Sequence, residues 1–421
     1  MAVVCGFLVF FMQCGFALLE AGTVRAKNTK NILLKNMLDA CVGAIIWWSV
    51  GYMIAYDTGA GFIGASAVSG VAPSFFLNGF AGGAEDTTGY AFGGWFFQYV
   101  FAAAAATIVS GAMAERTALS GYITYTCIIT SFIYPVVVHW GWSSDGWISA
   151  FAPGSFGGGV QDFAGSGIVH MTGGLAALVG AAVVGPRTGR YDEKKKPLPM
   201  PGHSTTLQVQ GTLILWLGWY GFNPGSTLGL SATNYARDAA RVVVTTTLSA
   251  AAGGVTVCIM EKLFGDKTWS VGAVCNGILG GLVSITSGCV VTYPWSAFLI
   301  GVLGGVVYWL SSKCVLKICK VDDPLDAFAV HGACGFWGVF ATGLFSASDY
   351  AYGSGAGLFY GSGNALGVAI VFLLATIAWV CSLSFLMFFA LKKMGLLRVS
   401  AEVEAAGMDV SKHGGNAYSA E

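Results

Sequence analysis

The chain has 421 residues, 55% hydrophobic and 10% charged, with a mean hydropathy of +0.69. Soluble domains carry roughly a quarter charged residues, so the composition argues against a soluble enzyme or a nucleic-acid-binding protein. The formal net charge of +0 is no guide to partners, because the basic residues are segregated along the chain.

Apolar runs long enough to cross a hydrocarbon core of about 30 Å recur throughout, predicting an all-α polytopic protein of the lipid bilayer. The spans are predicted at 1–19, 38–56, 91–113, 118–138, 163–184, 205–222, 239–260, 271–289, 295–312, 325–346 and 364–391, eleven in all. The first run, AVVCGFLVFFMQCGFALL, has no basic leader and no A-x-A site after it, so it reads as a retained helix rather than a cleaved signal. Of the 21 Lys and Arg, 19 fall in alternate connections, and Arg237 and Arg241 at the start of span seven are the exceptions. The positive-inside rule therefore predicts an extracellular N-terminus and a cytosolic C-terminal tail. Most of the 61 glycines are expected to let helices approach closely. Of the 11 cysteines only Cys314 and Cys319 lie outside apolar runs, and there is no CxxC pair. Neither a disulfide, a metal site nor a cofactor is expected, since lipid-buried cysteine behaves as a small hydrophobe.

Five histidines occur, and only His170 and His331 sit well inside spans. Asp162 precedes His170 by eight residues and Gly174 follows it by four; Asp323, His331 and Gly335 repeat that spacing. The unit D-x7-H-x3-G thus occurs in spans five and ten, which enter the bilayer from opposite sides, as expected of a five-plus-five inverted repeat. Such repeats place a substrate path at their interface near the midplane. At ~1.5 Å per residue each histidine lies roughly 12 Å inside its own end, so the imidazoles are predicted to be neighbours. A histidine bonded within a packed core is the bland alternative, but polar groups inside lipid are costly and tend to line pathways. Haem or metal ligation by the pair would want further ligands within the spans, and the thiols are scattered.

The motifs FALLEAGTVRAKN, SGAMAER, YPVVVHWGWSSDGW, DFAGSGIVHMTGG, LGWYGFNPGS, VCNGILGG, DDPLDAFAVHGACG and GMDVSKHGGNAY together resemble the ammonium transporter family (Amt/Mep/Rh), and within it the plant-type branch. The resemblance implies eleven helices, a homotrimer in the plasma membrane and one pore within each protomer. It implies a transport domain over 1–395, with inverted halves at about 1–190 and 200–346 and the final helix at 364–391, and a regulatory tail over 396–421. By the same resemblance Phe101, Trp142 and Ser226 form an extracellular recruitment site for NH4+ (or its analogue methylammonium), and Phe101 with Phe222 forms a phenyl gate. His170 and His331 line the pore. Asp162 is the acid near the outer mouth, either a helix N-cap or an aid to deprotonation, and Asp323 is its inverted counterpart. Ser411 stands where the plant-type tail commonly has threonine and is the expected target of a tail-directed kinase. The tail is expected to pack against a neighbouring protomer.

The activity this implies is not enzymatic. NH4+ binds outside, loses a proton, and NH3 crosses between the histidines, with electrogenic transfer of the proton. An ammonium sensor and an electroneutral, Rh-like gas channel are the alternatives.

Overall fold

The computed structural model describes residues 1–64, 74–78, 90–231 and 233–418. Among them the chain is all-helical, with a few isolated β-bridges and no strand. The helices are α1 (Ala2–Thr23), α2 (Thr29–Ile46, continued by a π turn to Tyr56), α3 (Tyr90–Ala112), α4 (Leu119–Ile128, continued by a π turn to Trp142), α5 (Thr172–Val184) and α6 (Thr205–Gly225). They continue with α7 (Thr233–Phe264), α8 (Val271–Thr286), α9 (Pro294–Lys317), α10 (Cys334–Phe345) and α11 (Asn364–Lys393), then α12 (Ala401–Ala406) and α13 (Met408–Lys412) in the tail.

Nine helical stretches among the described residues are long and apolar enough to cross a membrane. The two remaining expected spans, α6 and α8, are helical but fall outside that group. α8 has only 16 residues, and α6 dilutes its apolar run with Gln208, Gln210 and Asn223. The seventh helix is longer than its apolar core, running from Thr233 to Phe264 with Arg237, Asp238 and Arg241 in its first turns and Glu261 and Lys262 in its last.

Small residues set how closely the helices pack. Along the α1–α6 seam a side chain at Gly15 would start 2.8 Å from Leu215 and 3.1 Å from the Gly211 carbonyl. In the α7–α8–α9 group, a Cβ at either Gly277 or Gly305 would lie 2.9 Å from the Gly253 carbonyl oxygen. Backbones in near contact gain dispersion and leave no room for lipid. α5, with the π turn before it, is the most enclosed of the nine crossing stretches.

One end of the bundle carries a buried ionic network. Glu115 accepts from Arg25, from Asn28 (3.1 Å) and from Arg187 (2.8 Å). Asp322 holds Arg187 through its backbone N–H and guanidinium (2.8–3.0 Å) and pairs with Arg190 (3.2 Å). Burial alone would raise the Asp322 carboxyl, but the hydrogen bonds and charge of Arg187, with the charge of Arg116, hold it down at about 2. Arg116, fully buried, donates to the carbonyls of Ala112, Ala114, Gly185 and Asp322, satisfying helix-end acceptors that lack a partner in the helix.

The tail closes over this end of its own chain. Asp409 accepts from the backbone N–H groups of Lys30 (2.9 Å) and Asn31 (3.0 Å), capping α2 from outside. Glu404 accepts from Thr188 N (2.7 Å) and pairs with Arg398 (2.8 Å). Lys27 donates to the carbonyls of Glu404 and Ala405. These contacts tie α12 and α13 to α2 and to the turn after α5 of their own chain.

Candidate functional site

The two D-x7-H-x3-G units fold alike. Residues Ser166–Met171 wind as a π helix that passes into α5, and Phe328–Ala333 wind as a π helix that passes into α10. Asp162 accepts from the N–H groups of Gly167 (3.0 Å) and Ile168 (2.8 Å). Asp323 accepts from Phe328 N (2.8 Å). Each carboxylate thus caps its helix from several residues upstream, where it meets the positive end of the helix dipole. Each also leaves its other oxygen, Oδ1, buried without a partner. Wide π turns recur at functional sites because they re-aim side chains that an α-helix would place elsewhere.

The motif's glycine explains why the units meet. A Cβ on Gly174 would run into the backbone nitrogen of Gly332, and one on Gly335 would lie 2.5 Å from Ser166 O and 2.9 Å from Met171 N. Each glycine is the point at which the other unit's backbone passes. The crossing brings His170 and His331 side by side, with Nδ1···Nδ1 3.2 Å and ring centroids 5.3 Å apart. One Nδ1 must donate and the other accept. A neutral pair then presents one Nε2 acceptor and one Nε2–H donor. The Nε2 of His170 is buried with no partner, an uncommon state for a polar atom and a costly one unless something visits it.

A line of rings leads to this pair from the end opposite the tail. Phe101 stacks on Phe222 (4.0 Å, 25° between planes), Phe222 on His170 (5.3 Å), and Trp219 lies against the same imidazole (5.1 Å, 19°). Trp219 is fixed by donating to Thr286 Oγ1 at 2.9 Å. Above Phe101 a basin of about 290 Å³ is lined by Phe101, Trp142, Ser226, Phe97, Gln98 and Tyr56, among others. Trp142 meets Phe101 edge-on (5.9 Å, 74°), and its indole N–H donates to the Asp162 carbonyl (2.8 Å). Gly165 reaches φ 101°, and a Cβ there would lie 3.0 Å from the Trp142 ring, so the loop from Asp162 both caps α5 and seats the tryptophan. Ser226 Oγ donates to Phe222 O (2.9 Å) and keeps its lone pairs for an acceptor role.

Phe101, Trp142, Ser226, Phe222, His170 and His331 are therefore contiguous. Asp162 joins them through its backbone and cap, and Asp323 makes the equivalent cap on the other unit. Ser411 is far from them in role, exposed on α13 two residues after Asp409. The sequence reading missed Trp219, although it lies one turn before Phe222 on α6. It also missed Glu20, one residue past the first predicted span but still inside α1 and buried, and a carboxylate within a membrane-crossing helix is a functional signal by default.

The sequence profile described as the Ammonium Transporter Family matches residues 1–418. The chain belongs to the ammonium transporter family. Among its relatives, ammonium transporter 1 member 3 of Solanum lycopersicum is 44% identical, the match covering 98% of this chain and 91% of the tomato protein. Ammonium transporter 3 of Dictyostelium discoideum is 41% identical, with the same coverage of 98% and 91%. Among solved structures, one described as Sensor Amt Protein superposes with a TM-score of 0.87 at 32% identity, covering 98% of this chain and 96% of the other. Candida albicans Mep2 superposes with a TM-score of 0.82 at 28% identity, covering 95% and 86%. The Amt/Mep fold and a place among membrane transporters follow for this family member.

Proposed function

We propose that this family member conducts ammonium across the plasma membrane as NH3, along the ring-lined path between Phe101 and His331. The continuous stack Phe101–Phe222–His170–His331 beneath an aromatic basin carries the reading. Eleven spans, with α6 and α8 completing the nine, make two inverted halves over about 1–190 and 200–346, a last helix over 364–391 and a cytosolic tail over 396–421. The N-terminus is outside, and three protomers assemble with one pore each.

NH4+ enters the basin because Phe101 and Trp142 offer it π faces and Ser226 offers an oxygen acceptor. Beneath the basin the stacked phenyls offer no oxygens to replace a hydration shell, so a bare K+ or Na+ is not compensated. NH4+ alone of these ions can give up a proton and continue as NH3, which the two Nε2 atoms can then bond as donor or acceptor. Asp162 acts mainly as the structural cap of the first π segment and Asp323 as that of the second. The proton crosses as well, making transport electrogenic. Trp142→Leu is expected to raise the half-saturating methylammonium concentration about fivefold, equivalent to the ~1 kcal/mol of an accessible cation–π contact. An unchanged value in uptake assays would count against recruitment at this tryptophan.

The tail is proposed to regulate the pore through its clamp on α2 and on Thr188. A kinase acting on Ser411 would add about −1.5 to −2 charge two residues from Asp409, whose carboxylate caps α2. Ser411→Asp is therefore expected to transport less than wild type in uptake assays, and equal or greater transport would contradict regulation there. A sensing role is the second reading, favoured by the superposition on the structure described as Sensor Amt Protein.

A further inference from the structure

We infer a second ammonium site at the inner end of the path, formed by Glu20 and His331; it rests on the conduction reading above. Below the paired imidazoles lies a cavity of about 20 Å³, room for about one molecule the size of water or ammonia. Its walls are mostly apolar, among them Phe16, Leu279 and Val330, and its polar lining is Glu20, Asn276 and His331. Glu20 sits three residues before the end of α1 and is 2% exposed.

The carboxylate is held but not used up. Its Oε2 accepts from Ser110 Oγ (2.5 Å) and Asn36 Nδ2 (2.8 Å), and among the described residues none of its hydrogen bonds reaches Oε1. Among the described residues no ion pair within 4.0 Å neutralises it. The charged groups flanking Asn36 on α2 have other partners. Lys35 Nζ donates to Thr117 O (3.0 Å) and lies over Tyr122, and Asp39 accepts from Thr126 Oγ1 (2.8 Å). α3 offers Ser110 and no titratable group to Glu20, and the segment before α10 offers His331. A carboxylate at this depth is costly. This one is oriented by two side chains, and it faces a space the size of the cargo beside the last imidazole.

The chemistry is a proton transfer. NH3 leaving His331 takes the carboxyl proton of Glu20: the O–H bond breaks, an N–H bond forms, and NH4+ stands against the new carboxylate. NH4+ then departs to the tail-side solution, and Glu20 regains one proton from that solution. The site so completes the sequence that begins with proton loss at the outer basin.

The test is influx of labelled methylammonium into proteoliposomes at a series of lumenal pH values, with tail orientation fixed by protease accessibility. Wild-type influx is expected to depend on the pH facing the tail. Glu20→Gln keeps acceptor and donor atoms for Ser110 and Asn36 but carries no transferable proton. It is expected to lower influx by at least about tenfold and to flatten the pH dependence, as loss of a general acid does. Glu20→Asp is expected to restore a pH dependence with a shifted midpoint. If Glu20→Gln matches wild type in rate and profile, the site is wrong. If Glu20→Gln fails to assemble, Glu20→Asp decides: a shifted profile supports the site and a wild-type profile overturns it. A wild type that carries no methylammonium would overturn the conduction reading instead.

Discussion

Replacing His170 and His331 together with alanine is expected to cut methylammonium influx by more than about tenfold, a loss of at least ~1.4 kcal/mol at the barrier, and to let K+ compete. The two rings complete each other's hydrogen bonding at 3.2 Å, and His170 also fills the space between Trp219 and Phe222. Removing both rings deletes the imidazoles from the path and opens space continuous with the cavity at Glu20 and Asn276, whose polar groups can hold water. Water in that space would shelter a hydrated metal ion, which the ring-lined path otherwise excludes. A single substitution is less informative, because the remaining Nδ1 can find a water. Uptake with and without competing K+ reads both effects. Unaltered influx and unaltered K+ exclusion in the double variant would remove the histidines from the mechanism.

Gly335→Ala and Gly174→Ala are expected to be among the most damaging methyl additions in the chain. Each new Cβ would collide with the backbone of the opposite unit, at Ser166 and Met171 in one case and at His331 and Gly332 in the other. Overpacking against backbone costs about 1–3 kcal/mol or more, because backbone cannot rotate away as a side chain can. Separating the crossing also separates the imidazoles, so transport should fall although both histidines remain. Gly367→Ala in α11 is the control, since a Cβ there meets nothing within 4 Å and alanine is the better helix former. Thermal unfolding in detergent, paired with uptake, should show lowered melting and lost transport for the crossing glycines and neither for Gly367→Ala. Equal melting for all three would mean that the crossing tolerates separation.

The repeated D-x7-H-x3-G unit was the most legible part of the site. A carboxylate that caps, an imidazole and a glycine at fixed spacing are rare inside apolar runs, so their recurrence is visible without coordinates. The glycine's role was not visible, because one close approach among 61 glycines looks like every other. Helix boundaries were legible to a few residues where hydropathy and helix end together, as at α5. They were less so at α7, because hydropathy reports the thickness of the apolar layer and not where backbone hydrogen bonding stops. The π turns before α5 and α10 were illegible, since a π turn arises from the tertiary crossing rather than from local composition. Phe101 and Phe222 could not be chosen from 28 phenylalanines on periodicity; only the family resemblance singled them out, and the 4.0 Å stack is a contact between α3 and α6. Trp219 was hidden for the same reason. A packed tail was expected from the family resemblance alone; its particular partners were illegible, because Asp409, Glu404 and Lys27 make caps and clamps with groups far away in sequence.

The most direct measurement is labelled methylammonium uptake with simultaneous current recording on the reconstituted wild-type protein. Saturable uptake, resistant to K+ and accompanied by inward current in step with the substrate taken up, is the predicted result. Absence of uptake would contradict conduction through the His170–His331 path, and uptake without current would contradict its electrogenic form.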